Sequence, residues 1–202
     1  MDPRFFTTSK PPLQLSLTFR SPLLLTFTFL SLLPTLFNLK DTLSLLPLKF
    51  YPSYPTTRWL RLVTWPCAHM DSHHFFHNFK MILLLGPATE EKYGSVVLGV
   101  LMLVNTLACC CFHFIFSQNT SVIGASGILF MLIGLNICNT YAGGKSIPLT
   151  FLLTCLMFLG EELWLASTRD DRVSRMTHVS GGVVGVVAGI FWNRRKKKTK
   201  RM

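Results

Sequence analysis

The chain has 202 residues, of which 50% are hydrophobic and 14% charged, with a mean hydropathy of +0.41 and a formal net charge of +11. A water-soluble domain of this length needs far more polar surface, so the composition excludes a soluble globular enzyme and points to a membrane protein with several spans. Much of the positive excess lies in one run, Arg194-Arg-Lys-Lys-Lys-Thr-Lys-Arg201, which reads as a cytoplasmic flank and a contact for membrane lipid, not for nucleic acid.

In chain order, residues 1–20 form a short polar and basic lead carrying Arg4, Lys10 and Arg20, with no cleavable signal pattern. Residues 22–37 are the first apolar run, and its Thr residues and Pro34 are tolerated in a span. Residues 38–70 make a long connection with Phe50, Tyr51, Tyr54, Trp59 and Trp65, a composition suited to the membrane interface. Residues 73–86 are a second apolar run with a polar start, and Glu90-Glu-Lys-Tyr-Gly94 reads as a short charged turn after it. Residues 95–116, 121–141, 147–166 and 177–192 complete six expected spans. Most of them match a hydrocarbon core of about 30 Å, while the first, second and sixth are short for it. The expectation is an all-α polytopic bundle: lead 1–20, six-span domain 21–192 and basic cytoplasmic tail 193–202.

An even number of spans puts both ends on one side, and the basic run places that side in the cytoplasm. Lys40, Lys49, Arg58, Arg61 and the connection Arg169-Asp-Asp-Arg172 with Arg175 then fall opposite, against the rule. In this topology the fourth and sixth spans run the same way, and Ser126 and His178 sit near their starts at matching depth. Five of the six cysteines (Cys109, Cys110, Cys111, Cys138 and Cys155) lie in apolar segments and Cys67 in a connection, which implies neither a disulfide framework nor a zinc site.

Polar groups inside a membrane are costly and mark function. Ser126 stands in Gly124-Ala-Ser-Gly127. Small neighbours admit either a packing helix or a substrate backbone, so the serine is a packing contact or a nucleophile. His178 heads a stripe formed by Gly181, Gly185 and Gly189, and close crossing along such a stripe would bring its imidazole toward Ser126. His69, His73, His74, His77 and Asn78 cluster at the second span. H-x-x-x-H spacing suits helical metal ligands, but His73 and His74 point to different faces and Asp71 is the one carboxylate nearby. His74 and Asn78, four apart, suit instead two donors aimed at one oxygen. Glu161-Glu162 is read as pairing with Arg169 or Arg172, the sharper alternative being a proton relay.

Taken together these residues resemble the rhomboid intramembrane serine proteases. Arg61 and His69 are similar to that family's Arg and first His in the long connection. His74-Phe-Phe-His-Asn78 is similar to its H-x-x-x-N pair, Gly86-Pro-Ala-Thr-Glu90-Glu-Lys-Tyr-Gly94 to its G-x-x-x-E-x-x-x-G, Gly124-Ala-Ser-Gly127 to its G-x-S-G, and His178-Val-Ser-Gly181-Gly-Val-Val-Gly185 to its H-x-x-G-x-x-x-G. The resemblance implies the minimal six-span form of the fold, with Ser126 as nucleophile and His178 as general base. Asn78 and His74 would serve with the Ser126 amide as oxyanion donors, without metal or cofactor. The implied substrates are single-span membrane proteins cut in or next to their transmembrane segments, in an endomembrane or plasma membrane more than a mitochondrion. A non-catalytic relative that binds membrane clients for trafficking or degradation is the alternative, and a metal or proton transporter a more distant one. Two departures stand out: Leu60 separates Trp59 from Arg61, and Phe130 stands where the family often has a tyrosine stacked on its catalytic histidine.

Overall fold

A computed structural model describes residues 20–45, 59–116, 121–142, 148–168 and 172–199. Among them are six long helices: α1 (Pro22–Leu36), α4 (Ser72–Tyr93), α5 (Ser95–Phe116), α6 (Ser126–Ala142), α7 (Leu149–Thr168) and α8 (Arg172–Thr199). Two single-turn helices, α2 (Lys40–Leu43) and α3 (Arg61–Thr64), and a 3-10 turn at Trp65–Cys67 belong to the first connection. The fold is all-helical, as the sequence implies. Of these helices, Ser95–Phe116 is the one whose length and hydropathy suffice by themselves to cross a membrane; Pro22–Leu36 and Ser126–Thr140 are apolar but shorter.

Two boundaries differ from the sequence reading. Helix α4 does not end at Gly86 in a charged turn. It runs on through Gly86 and Pro87 to Tyr93, because a proline there gives up one backbone donor while its neighbours still close helical turns. It stops at Gly94, whose φ of +81° is a conformation that glycine takes without a Cβ penalty. Helix α8 likewise continues past the apolar run, through the basic residues to Thr199. Arg169, Asp170 and Asp171 and the aromatics Phe50, Tyr51 and Tyr54 lie outside the described residues, as do the side chains of Glu161 and Glu162.

The motif from Gly86 to Gly94 holds α1 in place. Pro22 opens α1 and Ser21 offers it no side-chain cap, so the amides of the first turn need an outside acceptor. The Glu90 carboxylate, 2% exposed, accepts from Leu23 N (2.9 Å) and Leu24 N (3.1 Å), and the Ser95 hydroxyl donates to it at 2.7 Å. A negative charge at a helix N-terminus also opposes the helix dipole. One turn earlier, a Cβ on Gly86 would run into the Leu24 side chain.

Helices α6 and α8 make the most extensive contact in the bundle. A Cβ on Gly181 would strike the Gly127 carbonyl, one on Gly185 the Met131 carbonyl, and one on Gly189 would lie 2.5 Å from Cys138 Cβ. From the other side, a Cβ on Gly134 would meet Gly182 O at 2.8 Å. The contact positions climb together along both helices, so α6 and α8 run parallel with backbone against backbone. The core around them contains Phe75, Phe79 and Ile82 of α4, Leu98 of α5 and Leu129, Leu132 and Leu135 of α6.

Candidate active site

The parallel pairing fixes where the polar residues meet. Ser126 is the first residue of α6 and adjoins Gly127; His178 stands three residues before Gly181 on α8. The Gly127–Gly181 crossing therefore lies one residue from the serine and three from the histidine, and both side chains are buried (7% and 8% exposed). The His178 ring lies flat on Phe130, centroids 4.3 Å apart and planes at 10°. A face-on stack at that distance restricts the imidazole to rotation in its own plane.

The start of α4 closes the site from another side. Asp71 caps the helix, accepting from His74 N at 2.8 Å. Gly124, two residues before the serine, has φ +111°, and a Cβ there would lie 2.8 Å from His74 Cε1, 2.9 Å from His74 Nε2 and 3.7 Å from Asn78 Nδ2. Gly124 is required twice over, for its backbone conformation and for the approach of the imidazole. The amide of Met70 donates to His74 Nδ1 at 3.5 Å, which assigns the ring proton to Nε2, the atom facing Gly124. Asn78 is fully buried, and its amide nitrogen and oxygen have no hydrogen-bond partner among the described residues. A buried amide without a partner is costly in a folded protein and calls for an explanation. The Ser126 amide, in the first turn of α6, is also left unused by the helix ladder.

The first connection anchors the extended segment leading to Ser126. Leu45 and Val122 exchange backbone hydrogen bonds (2.8 and 3.0 Å), Gly124 N donates to Trp65 O at 3.4 Å, and Ala125 N donates to His69 Nε2 at 3.4 Å. His69 is thus an anchor for the residue just before the serine. Burial holds its pKa down to about 3, the neighbouring His74 imidazole adding to that and the Cys67 backbone and Asp71 opposing it; the ring is neutral and its Nε2 accepts. Arg61 Nη1 donates to Ser44 O at 3.3 Å, so the arginine ties the connection together although Leu60 separates it from Trp59. Trp59 is 47% exposed, while Trp65, 2% exposed, takes the buried place in this layer.

Of the residues singled out in the sequence, Ser126, His178, His74, Asn78, His69, Gly124, Gly127 and Gly181 gather at one end of the bundle, while Gly185 and Gly189 follow the α6–α8 crossing away from it. Glu90 and Gly94 lie at the opposite end, as fold residues, and Arg61 braces the connection. A polar cluster behind the site was not apparent from the sequence: Cys109 Sγ lies 2.9 Å from Ser180 Oγ and 3.7 Å from Thr177 O, with the buried Asn105 beside Gly127. The four-residue spacing of Asn105 and Cys109 on α5 is its sequence trace. Phe158 of α7, also unremarked, packs between His77 (5.1 Å) and Phe130 (5.7 Å).

The family model for the Rhomboid domain matches residues 56–195, which include every one of these site residues. The chain belongs to the rhomboid family. Mouse rhomboid-related protein 2 is 25% identical to it over 154 residues, covering 71% of this chain and 51% of that protein. This rhomboid thus spans about half the length of the curated relative it matches. Rhomboids are integral membrane proteins, and the family includes serine proteases.

Proposed function

We propose that this rhomboid is a six-span intramembrane serine endopeptidase that hydrolyses peptide bonds in or next to the transmembrane segments of single-span membrane proteins. The observation that carries the reading is the parallel register of α6 and α8, glycine on backbone, which brings Ser126 and His178 to the same end of adjacent helices.

In the proposed reaction Ser126 Oγ attacks the scissile carbonyl carbon while His178 takes the hydroxyl proton, since a serine is a poor nucleophile until a base removes that proton. The carbonyl oxygen becomes an oxyanion facing the Ser126 amide, Asn78 Nδ2 and His74 Nε2. Collapse breaks the C–N bond, His178 hands its proton to the leaving amine, and an acyl-serine remains. Water attacks that ester, again giving a proton to His178, and the second collapse returns the proton to Ser126 and frees the new carboxyl terminus. The reaction needs no metal or cofactor. Phe130 supports the imidazole throughout by its stack.

The decisive experiment is cleavage of a model single-span substrate by purified protein in bilayers. Ser126→Ala and His178→Ala are each expected to abolish cleavage with expression and thermal melting retained. Fluorophosphonate labelling of wild-type protein, absent from Ser126→Ala, is expected alongside. Cleavage retained in either variant removes the dyad, and folded wild-type protein that neither cleaves nor labels favours a client-binding rhomboid without catalysis.

A further inference from the structure

Helix α8 has two unlike faces, and the proposed reaction uses only one of them. Gly181, Gly185 and Gly189 lie against α6. On the outer side of the same helix an open groove of about 400 Å³ runs downward from the site. Its head is formed by Phe130 and His178, and its walls by Val179, Val183, Val186 and Val187, all four exposed. Gly182 forms its floor, where a Cβ would meet nothing within 4 Å, so that one added methyl leaves the groove open.

Two properties separate this groove from an ordinary apolar surface. The first is that the candidate general base belongs to it: His178 is buried against Phe130, yet it lines the head of the groove. The second is stiffness. Valine branches at Cβ and keeps one strongly preferred rotamer in a helix, so the walls lose little freedom when something packs on them. With a rise of 1.5 Å per residue the lining from His178 to Val187 extends over about 14 Å, roughly two and a half helical turns.

We infer that this groove receives the transmembrane helix of the substrate, along the part that lies deeper in the membrane than the bond to be cut. The inference rests on the endopeptidase reading and adds to it the surface on which the substrate lies. A single-span helix reaches the groove sideways through the bilayer, and van der Waals packing is what joins helices there. Seated along Val179 to Val187, with its upper end at His178, it presents the stretch above to Ser126 at the start of α6. A lipid tail packs about as well on any other apolar face of the bundle, so it accounts for neither the stiff walls nor the place of His178.

Two measurements on the full chain in bilayers test this. In the first, the photo-crosslinker p-benzoylphenylalanine replaces Val183 or, as a control, Leu103 on the exposed face of α5, in a Ser126→Ala background that leaves a single-span substrate uncut. Irradiation is expected to join the substrate to position 183 and to lose that product at position 103. In the second, Val183→Trp fills the groove and should raise KM for the substrate about tenfold or more, with kcat changed much less. Leu103→Trp should leave both near wild type. Equal crosslinking at the two positions overturns the inference, as does crosslinking at position 183 to phospholipid alone, or a KM that Val183→Trp does not move. The crosslinking decides the matter if Val183→Trp does not fold. Failure of the endopeptidase reading shows separately, as wild-type protein that neither cleaves nor labels, because the crosslinking is read without catalysis.

Discussion

Two side chains near Ser126 hold their positions for different physical reasons, and their substitutions should part accordingly. Asn78 is buried with its amide unspent, which suits a donor whose partner exists only while an oxyanion does. Replacing it with alanine should lower kcat by about 10²–10³-fold, with little change in KM, since one preset donor supplies that much. Single-turnover cleavage in bilayers measures it. His69 instead accepts from the Ala125 amide as a neutral ring, with its pKa held near 3 by burial. A group whose folded pKa lies below its ordinary 6.5 contributes fully above pH 6.5. Below that, the unfolded chain takes up a proton that the fold refuses, so stability falls as the pH drops toward about 3. Between about pH 6.5 and 5 the loss should approach about 2 kcal/mol. Thermal melting across this range should show a flatter slope in His69→Gln, whose amide oxygen accepts without titrating.

At the scale of elements, the α6–α8 contact is the part most legible in the chain. Glycines at 181, 185 and 189 repeat at helical spacing, and a four-residue repeat of the smallest residue has few readings other than close crossing. The structure separates those positions from Gly182, whose added Cβ would meet nothing within 4 Å. Gly185→Ala, driven against the Met131 carbonyl, should cost about 1–3 kcal/mol of stability as the helices part, and should reduce cleavage because Ser126 and His178 ride on the two helices. Gly182→Ala should leave both near wild type. Melting and cleavage measured on the pair check the register directly. Other elements were less legible. Gly86-Pro87 has the composition of a break, yet α4 runs through it because the helix on either side is packed, a tertiary effect that no local rule contains. The basic run reads as a cytoplasmic flank and not as a continuation of the last helix for the same reason: its charge is visible, whereas the Trp192–Tyr93 stack just before it joins residues far apart in the chain. The cluster of Asn105, Cys109 and Ser180 stayed hidden because isolated small polar residues in an apolar span look like ordinary packing.

Across the whole molecule the two ends have separate tasks, and Glu90 is the place to show it. The site end gathers Ser126, His178, His74 and Asn78. The other end holds α1 onto the bundle through one buried carboxylate that accepts two backbone amides and a hydroxyl. Glu90→Ala would leave the Leu23 and Leu24 amides buried without acceptors, a cost of about 1–3 kcal/mol for each. The expected result is a fall in melting temperature and yield, and a first connection loosened along with the helix that leads into it. Helix α6 packs on both α4 and α8, the helices that carry the other candidate catalytic groups, without α1. Molecules that remain folded should therefore label with a fluorophosphonate at close to the wild-type rate, even as the folded fraction drops. Glu90→Gln should fall between, since one carboxamide oxygen can serve one of the two amides but brings no charge to the helix terminus. Labelling rate per folded molecule, set against melting temperature for the three proteins, reads the two ends separately. A labelling rate that falls in step with stability would mean that α1 shapes the site as well as the bundle.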